Sequence, residues 1–168
     1  MTLAQLNGLA ANEAKSELLK CCGSTRWAQA MTEARPFRDL DHLVAESDQA
    51  CSSLKQEDWL EAFRAHPKIG EKKAAAAQTQ QAQGWSAQEQ AGVSDGSSQT
   101  RDELARLNRE YEDRFGFIFI VCASGKSSDE MLEILKSRIA NDPETEMRMA
   151  GEEQRKITRL RLEKLLNQ

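Results

Sequence analysis

The stretch Phe63-Arg64-Ala65-His66-Pro67-Lys68-Ile69-Gly70 marks the end of a predicted helix and carries one of the two histidines of the chain. Proline lacks a backbone N–H and disfavours the α conformation of the residue before it, so the helix must end near His66. Trp59, Phe63 and His66 are spaced four and three residues apart, which places them on one face of that helix. Because this face is apolar, we expect the imidazole to turn toward the core.

Two interpretations of His66 follow from this position. The carbonyls at a helix C-terminus favour a protonated imidazole, whereas burial opposes it. A histidine under both influences can exchange a proton near neutral pH, as a proton donor must. The alternative is a histidine that only ends the helix, and the stretch by itself favours this structural role.

Length and composition indicate a helical protein. The chain has 168 residues, of which 30% are charged and 5% aromatic. It is rich in Ala, Leu, Glu, Gln and Lys, which are strong helix formers. We therefore predict that residues 1–168 form a single soluble all-α domain, a bundle of roughly eight helices without a substantial sheet.

Charge and hydropathy exclude several classes of partner. The net charge of −4 gives no general attraction to nucleic acid or to anionic lipid. No apolar run is long enough to span a bilayer, and the N-terminus lacks the pattern of a signal peptide. We expect a cytoplasmic protein that binds neither nucleic acid nor membrane.

The four cysteines show no metal-ligand spacing, and the two histidines are scattered. A zinc site is therefore not expected. Free, buried thiols in a reducing compartment are the simplest interpretation of Cys21, Cys22, Cys51 and Cys122.

Capping signals predict several helix boundaries. They are Ser24 or Thr25, Asp39 or Asp41, Ser53 with Gln56, Ser86 with Glu89, Thr100 with Glu103, and Ser127 with Glu130. Residues 71–83 are strong helix formers without a large apolar side chain, so they predict an exposed helix that Gly84 ends. The residues alone favour the capping role for Ser86 and Glu89. The alternative is that Glu89 faces a pocket beside the His66 loop.

The most apolar run of the chain is Phe-Ile-Phe-Ile-Val-Cys-Ala at 117–123, after a predicted helix end at Gly116. It predicts either a buried strand or the start of a buried helix. Because Gly125-Lys126-Ser127 and a helix follow, the region has part of the pattern of a phosphate-binding loop. That motif requires a glycine at the position of Ile120, and one apolar segment cannot build a parallel sheet, so nucleotide binding is excluded.

The last predicted helix, about 144–166, carries an arginine among apolar residues. Arg161 lies between Ile157 and Leu165 at the middle of the apolar stripe. An arginine there must extend its head to water, pair with a carboxylate in the core or across a dimer contact, or bind an anion. Its planar guanidinium suits a substrate carboxylate or imide.

These motifs resemble those of the 2-oxo-4-hydroxy-4-carboxy-5-ureidoimidazoline (OHCU) decarboxylase family. The resemblance covers nearly the whole chain in the same order. It is carried by Arg35-Pro36-Phe37, His66-Pro67-Lys68-Ile69-Gly70, Ser86-x-x-Glu89-Gln90, Phe115-Gly116-Phe117 through Cys122-Ala123, and Arg161-Leu162.

The resemblance implies an all-helical lyase of purine metabolism, usually homodimeric, that uses no cofactor and no metal. Such enzymes act in urate degradation, where they decarboxylate OHCU to (S)-allantoin and CO2. Loss of CO2 leaves charge that can delocalise onto the ring of the substrate, so neither pyridoxal phosphate nor thiamine is needed. The implied partners are this small-molecule substrate and its product.

The resemblance also implies a set of site residues. His66 matches the catalytic proton donor, Glu89 the catalytic acid, and Arg161 the site arginine. The positions that match substrate-binding residues are Pro67, Ser86, Ala87, Gln88, Glu89, Gln90, Ile118, Phe119, Ile120, Val121 and Cys122.

Two other classes of function are compatible with parts of the sequence. A helical interaction module without chemistry would leave His66 and Arg161 as packing residues. A hydrolase could use Cys122 or a serine as its nucleophile, but no Gly-x-Ser-x-Gly motif supports it.

Overall fold

A computed structural model of the chain describes residues 1–70 and 79–167. All regular secondary structure in these residues is helical, so the predicted all-α class is confirmed. None of the described helices is both long and apolar enough to cross a bilayer. The elements are α1 (Leu3–Gly8), α2 (Ala11–Cys21), α3 (Thr25–Glu33), α4 (Leu40–Ser52), α5 (Gln56–Arg64), α6 (Gln80–Glu89), the 3₁₀ helix η1 (Ala91–Asp95), α7 (Ser98–Phe115), α8 (Ser128–Ile139) and α9 (Pro143–Leu166).

The helices belong to two compact units. The first comprises Met1–Ala62 and Gln154–Gln168, and the second comprises Phe63–Glu153. Each unit has its own buried apolar residues. That residues 1–168 form one domain stays a prediction.

The first unit is built on α2, α3 and α4, which pack in sequence order. Ser24 caps α3 by accepting a hydrogen bond from the backbone N–H of Trp27, and Asp39 caps α4. The indole N–H of Trp27 donates to the Ser47 hydroxyl over 3.3 Å, so the largest side chain of this core has its polar group satisfied. The other fully buried side chains include Leu6, Leu18, Met31, Leu43, Leu162 and Leu165.

Two side chains fasten α1 to the loop that follows α3. The Arg35 guanidinium donates to the carbonyls of Leu6 and Leu9, each over 2.8 Å. The Asn7 amide exchanges two hydrogen bonds of 2.8 Å with the backbone of Phe37. Because the last carbonyls of a helix have no partner within it, these contacts satisfy groups that would otherwise depend on water.

The second unit contains the apolar run at 117–123, which is neither strand nor helix. Gly116 ends α7 with a left-handed backbone (φ 78°), as the sequence predicts. The chain then continues without regular hydrogen bonding to Ser127, the cap of α8. Every residue from Phe119 to Ala123 is buried. Both predicted conformations of this run are therefore wrong.

A buried ion pair in the second unit supplies partners to this run. The Arg138 Nε lies 2.8 Å from Glu146 Oε1, and both side chains are almost fully buried. The Arg138 Nη1 donates to the carbonyl of Ile120, and its guanidinium lies 4.8 Å from the centroid of the Phe119 ring. The Tyr111 hydroxyl donates to the second oxygen of Glu146 over 2.9 Å. The Arg138 side chain thus satisfies a backbone carbonyl that a neighbouring strand would satisfy in a sheet.

Several predicted helix starts are wrong. Thr79 caps α6 by accepting from the N–H of Ala82, so Gly84 lies inside that helix and does not end it. The first part of the helix predicted at 71–83 lies outside the described residues. Ser97, and not Thr100, caps α7. Ser53 ends α4 and does not begin α5.

The cap predicted at Ser127 is confirmed. Its hydroxyl accepts from the N–H of Glu130 over 3.2 Å, and the Glu130 carboxylate accepts from the N–H of Ser127 over 2.7 Å. This reciprocal pair fixes the point at which the buried run enters α8.

Candidate active site

His66 lies just beyond the end of α5, in the second unit. The helix ends at Arg64, and the backbone N–H of His66 donates to the carbonyl of Phe63 over 3.1 Å. Phe63 is buried, and its ring centroid lies 5.3 Å from that of Phe117. His66 and Pro67 are half-buried. The helix therefore ends just before Pro67, as the sequence predicts. Because Phe63 packs on Phe117, its carbonyl holds the backbone of His66 in a fixed position.

Helix α7 anchors the loop that follows His66. The Asn108 amide donates to the carbonyl of Ile69 over 2.9 Å, and this contact is buried. The Lys68 ammonium pairs with the carboxylate of Glu112, one turn further along α7. A salt bridge at the surface is worth little, so the buried amide contact is the stronger constraint on the loop.

The same loop is joined to the end of α6. The backbone N–H of Gly70 donates to Oε1 of Gln90 over 3.1 Å. Gly70 has a left-handed backbone (φ 81°), which a residue with a side chain adopts only under strain. The structure thus brings the His-Pro-Lys-Ile-Gly motif to the Ser-x-x-Glu-Gln motif through a direct hydrogen bond.

Ser86 and Glu89 lie in the last turn of α6, so their predicted role as a capping box at a helix start is wrong. Both side chains are buried, at 4% and 8% exposure. Ala87 and Gln88 are exposed, and Gln90 is half-buried. The predicted binding segment 86–90 therefore presents Ser86 and Glu89 to the protein interior and its two middle residues to solvent.

The segment after α6 approaches the loop before α8 at Gly92. A Cβ atom at this position would collide with the carbonyl oxygen of Lys126, so only glycine permits the approach. The Lys126 ammonium in turn donates to the carbonyl of Cys122 over 2.8 Å. The backbone N–H of Cys122 donates to Oε2 of Glu153, also over 2.8 Å. Charged side chains thus hold both polar groups of the Cys122 backbone.

The pKa of the Cys122 thiol reflects the charged groups around it. Burial raises its pKa, and the backbone N–H of Ser124 and the Lys126 ammonium oppose the shift. The carboxylates of Glu153 and Glu89 both raise the pKa further. Glu89 is therefore close enough to interact with the end of the segment at 118–122. The thiol is held protonated, which does not suit a nucleophile and does not favour the hydrolase alternative.

The other predicted binding residues lie along the buried run. Ile118 is half-buried, whereas Phe119, Ile120 and Val121 are buried. Of these, Phe119 and Ile120 contact Arg138. No group of three or more His, Cys, Asp and Glu side chains within residues 1–70 and 79–167 could hold a metal ion.

Sequence reasoning missed Arg138, although a signal for it exists. Met131, Leu135 and Arg138 are spaced four and three residues apart, and all three are buried. The spacing argument that identifies Arg161 therefore applies equally to Arg138. Asn108 carries a comparable signal, because Leu104, Asn108 and Tyr111 are also spaced four and three residues apart and are all buried.

Arg161 belongs to the first unit. It is 3% exposed, which is not compatible with the alternative in which its head extends to water. Its Nη1 donates to the carbonyl of Lys20, near the C-terminus of α2, over 3.4 Å. The guanidinium also lowers the pKa of the Cys21 thiol, although burial of Cys21 outweighs this effect and raises the pKa.

Similarity to known proteins identifies the family of the chain. The family described as OHCU decarboxylase matches residues 7–163. The chain belongs to this family. A decarboxylase of this name from Amia calva is 33% identical over 83% of this chain and 79% of its own length. The crystal structure of an OHCU decarboxylase in the presence of (S)-allantoin superposes with a TM-score of 0.77 and 35% identity, over 90% of this chain and 98% of that one.

Other relatives in the OHCU decarboxylase family are much longer. The uric acid degradation bifunctional protein TTL of Arabidopsis thaliana is 37% identical over 88% of this chain, which corresponds to 45% of that protein. The chain therefore spans less than half the length of this bifunctional relative.

Proposed function

We propose that this protein is an OHCU decarboxylase, which converts OHCU to (S)-allantoin and CO2 in urate degradation. The observation that carries the proposal is the hydrogen bond between Gly70 and Gln90. It joins the two most specific motifs of a family that matches nearly the whole chain. The similar crystal structure in the presence of (S)-allantoin supports the same substrate class.

The chemistry needs few protein groups. In OHCU, C4 carries both a hydroxyl and a carboxylate, and the adjacent C5 carries the ureido group and a ring C=N bond. When the C4–carboxylate bond breaks, its electron pair forms a C4=C5 bond and the C=N pair moves onto nitrogen. A proton added at C5, a second proton taken up by that ring nitrogen, and the loss of the C4 hydroxyl proton then give the ring carbonyl and the stereocentre of neutral allantoin. The substrate is its own electron sink, which is why we propose that no cofactor takes part.

We assign the proton donor to His66. Its position beyond the end of α5 places the imidazole on a fixed loop, which Asn108 and Gln90 both hold. Delivery of a proton to one face of C5 requires a donor of fixed orientation, since a mobile donor would give both enantiomers. Pro67, the neighbouring half-buried residue, is proposed to contact the ring.

The segments 86–90 and 118–122 are proposed to bind the substrate. Within the second segment, backbone N–H groups are suited to stabilise the developing enolate oxygen. The N–H of Cys122 donates to Glu153, so the donors are assigned to residues 118–121. Arg161 is proposed to bind the ring or ureido oxygens, because its planar guanidinium matches them.

For Glu89 the proposal distinguishes two roles, a hydrogen bond to the substrate hydroxyl and electrostatic destabilisation of the departing carboxylate. A Glu89→Gln variant separates them. If the hydrogen bond is the important term, the amide retains part of the activity. If the negative charge is the important term, Glu89→Gln is as inactive as Glu89→Ala.

A cytoplasmic homodimer is proposed as the working state, following the usual assembly of the family. Sedimentation equilibrium checks this point, because a dimer has twice the mass of the 18.8 kDa chain.

The decisive experiment follows freshly generated OHCU by circular dichroism. The proposal predicts enantiomerically enriched (S)-allantoin and release of CO2 much faster than in buffer alone. Racemic product at the rate of spontaneous decay would contradict it and would favour the interaction module.

A further inference from the structure

Charged side chains hold the backbone of the segment proposed to bind substrate. Arg138 donates to the carbonyl of Ile120, and Lys126 donates to the carbonyl of Cys122. In the opposite direction, the N–H of Cys122 donates to the carboxylate of Glu153 over 2.8 Å. Glu153 is the only acceptor in this set, and it acts on the last residue of the segment.

The contact of Glu153 is more than a surface interaction. The segment is buried and has no neighbouring strand among the described residues, so each of its N–H groups needs a partner from elsewhere. A buried N–H that loses its acceptor costs about 1–3 kcal/mol, so the acceptor oxygen of Glu153 constrains where the Cys122 backbone can lie. Glu153 lies within the helix α9, so its backbone is fixed and its side chain extends from a rigid element.

The same end of the segment lies close to Glu89. Both Glu89 and Glu153 interact electrostatically with the Cys122 thiol. A displacement of Cys122 would therefore shift the segment relative to the carboxylate that the proposed mechanism places at the substrate. Displacements of about 1 Å at such positions can lower rates on the order of 100-fold.

We propose that Glu153 is a positioning residue of the substrate site, which sets the backbone of residues 118–122 by accepting the hydrogen bond of the Cys122 N–H. The inference rests on the proposed decarboxylase function and deepens it. Glu153 acts through Cys122 and does not itself touch the substrate. The essential property is the acceptor atom, and the negative charge is secondary.

This distinction defines the variants. Glu153→Gln keeps an acceptor oxygen at the same distance from α9, whereas Glu153→Met keeps the length of the side chain and removes the acceptor. Glu152→Met is the matched control, since Glu152 is the preceding residue of the same helix and its exposed carboxylate pairs with Arg148.

The measurements are kcat and KM for OHCU, the Kd of (S)-allantoin and the melting temperature. We expect Glu153→Met to lose roughly 10- to 100-fold in kcat/KM and to bind allantoin more weakly. Glu153→Gln and Glu152→Met should both remain within about twofold of the wild type on every measure.

Three results would overturn the inference. The first is a Glu153→Met variant with a lower melting temperature but wild-type kcat/KM and allantoin affinity. The second is a Glu153→Gln variant as impaired as Glu153→Met. If Glu153→Met does not fold, Glu153→Asp replaces it, because the shorter carboxylate cannot reach the Cys122 N–H unchanged. Normal kinetics of Glu153→Asp would be the third contrary result. Wild-type protein without OHCU turnover would instead refute the proposed function, so the two failures are distinguishable.

Discussion

The Oε1 atom of Gln90 accepts a hydrogen bond of 3.1 Å from the backbone N–H of Gly70, twenty residues earlier in the chain. One glutamine side chain thereby connects the loop after His66 with the helix end that carries Glu89. His66 and Glu89, the two residues proposed to act in the chemistry, therefore lie on segments that this hydrogen bond joins directly.

Removal of this acceptor should impair turnover more than stability. In Gln90→Met we expect kcat/KM to fall roughly 10- to 100-fold, because the His66 loop loses one of its anchors. The free energy of unfolding should fall by only about 0.5–1.5 kcal/mol, the usual net value of one hydrogen bond. Steady-state kinetics and urea unfolding measure both. Gln83→Met, an exposed position of the same helix, is the control, and equal kinetics in the two variants would contradict the role of Gln90.

His66→Asn should remove most turnover and leave the fold intact. General acid catalysis typically contributes about 10²–10⁴-fold, so kcat should fall by that factor. The melting temperature should hardly change, since asparagine keeps the backbone hydrogen bond to Phe63 and places a polar side chain at this half-buried position. The other histidine provides the comparison. His42 lies in α4 and contacts Glu46 over 3.3 Å, so His42→Asn should have normal kinetics.

Arg161→Met distinguishes a ligand-binding arginine from a structural one. If Arg161 binds substrate, the affinity for allantoin should fall by about 1.5–3 kcal/mol, whereas the apo protein should be as stable as before or more so. If Arg161 instead stabilises the fold by pairing with a carboxylate, the variant should lose roughly 3–5 kcal/mol of stability with unchanged affinity. Calorimetry of binding and of unfolding gives both values. Arg159→Met removes an exposed arginine of the same helix and should change neither.

The buried pair of Arg138 and Glu146 should show the largest effect on stability. Arg138→Met leaves the Glu146 carboxylate buried beside the Tyr111 hydroxyl but without its guanidinium partner, and we expect a loss of roughly 3–5 kcal/mol in urea unfolding. The double variant Arg138→Met/Glu146→Met should be more stable than the single one, since no unpaired charge remains. A double variant less stable than the single one would show that the two residues stabilise the fold independently.

The buried cysteines predict a loss of stability at alkaline pH. Burial raises the pKa of the Cys22 thiol from 9.0 to about 11 and that of Cys51 to about 12. Because the folded-state pKa is raised, protonated thiols stabilise the native state below pH 9. This contribution declines above pH 9 and is lost as the pH rises through about 11 for Cys22 and about 12 for Cys51. Thermal unfolding between pH 8 and pH 11 should show the decline, and replacement of both cysteines by alanine should make it shallower. At pH 8 a thiol reagent should react slowly with the native protein and rapidly with the unfolded one.

Helix content was predictable from the sequence, and one of the misplaced helix starts has a definite cause. Ser86 and Glu89 are three residues apart, which is the spacing of a capping box and also the spacing of two neighbours on one helix face. Thr79 begins the helix seven residues earlier, so the second explanation holds. The resemblance to a family assigned Glu89 a function that its spacing alone could not.

The apolar run at 117–123 shows a different limit of sequence analysis. Its composition predicts burial, and every residue of the run except the half-buried Ile118 is buried. Its backbone partners, however, come from side chains such as Arg138 and Glu153, which lie on two separate helices. Local patterns contain no information on contacts that only the tertiary structure creates, so neither predicted conformation could have been corrected from the sequence.

The attachment of α1 has a consequence for how the chain can diverge. Asn7 and Arg35 both bind backbone atoms, namely those of Phe37 and the carbonyls at the end of α1. Backbone groups are the same for every amino acid, so the residues that are bound can mutate without loss of these hydrogen bonds. The two residues that bind them cannot. Over evolutionary time Asn7 and Arg35 should therefore be retained while their partners drift, and pairwise covariation would fail to reveal one of the firmest attachments in the first unit.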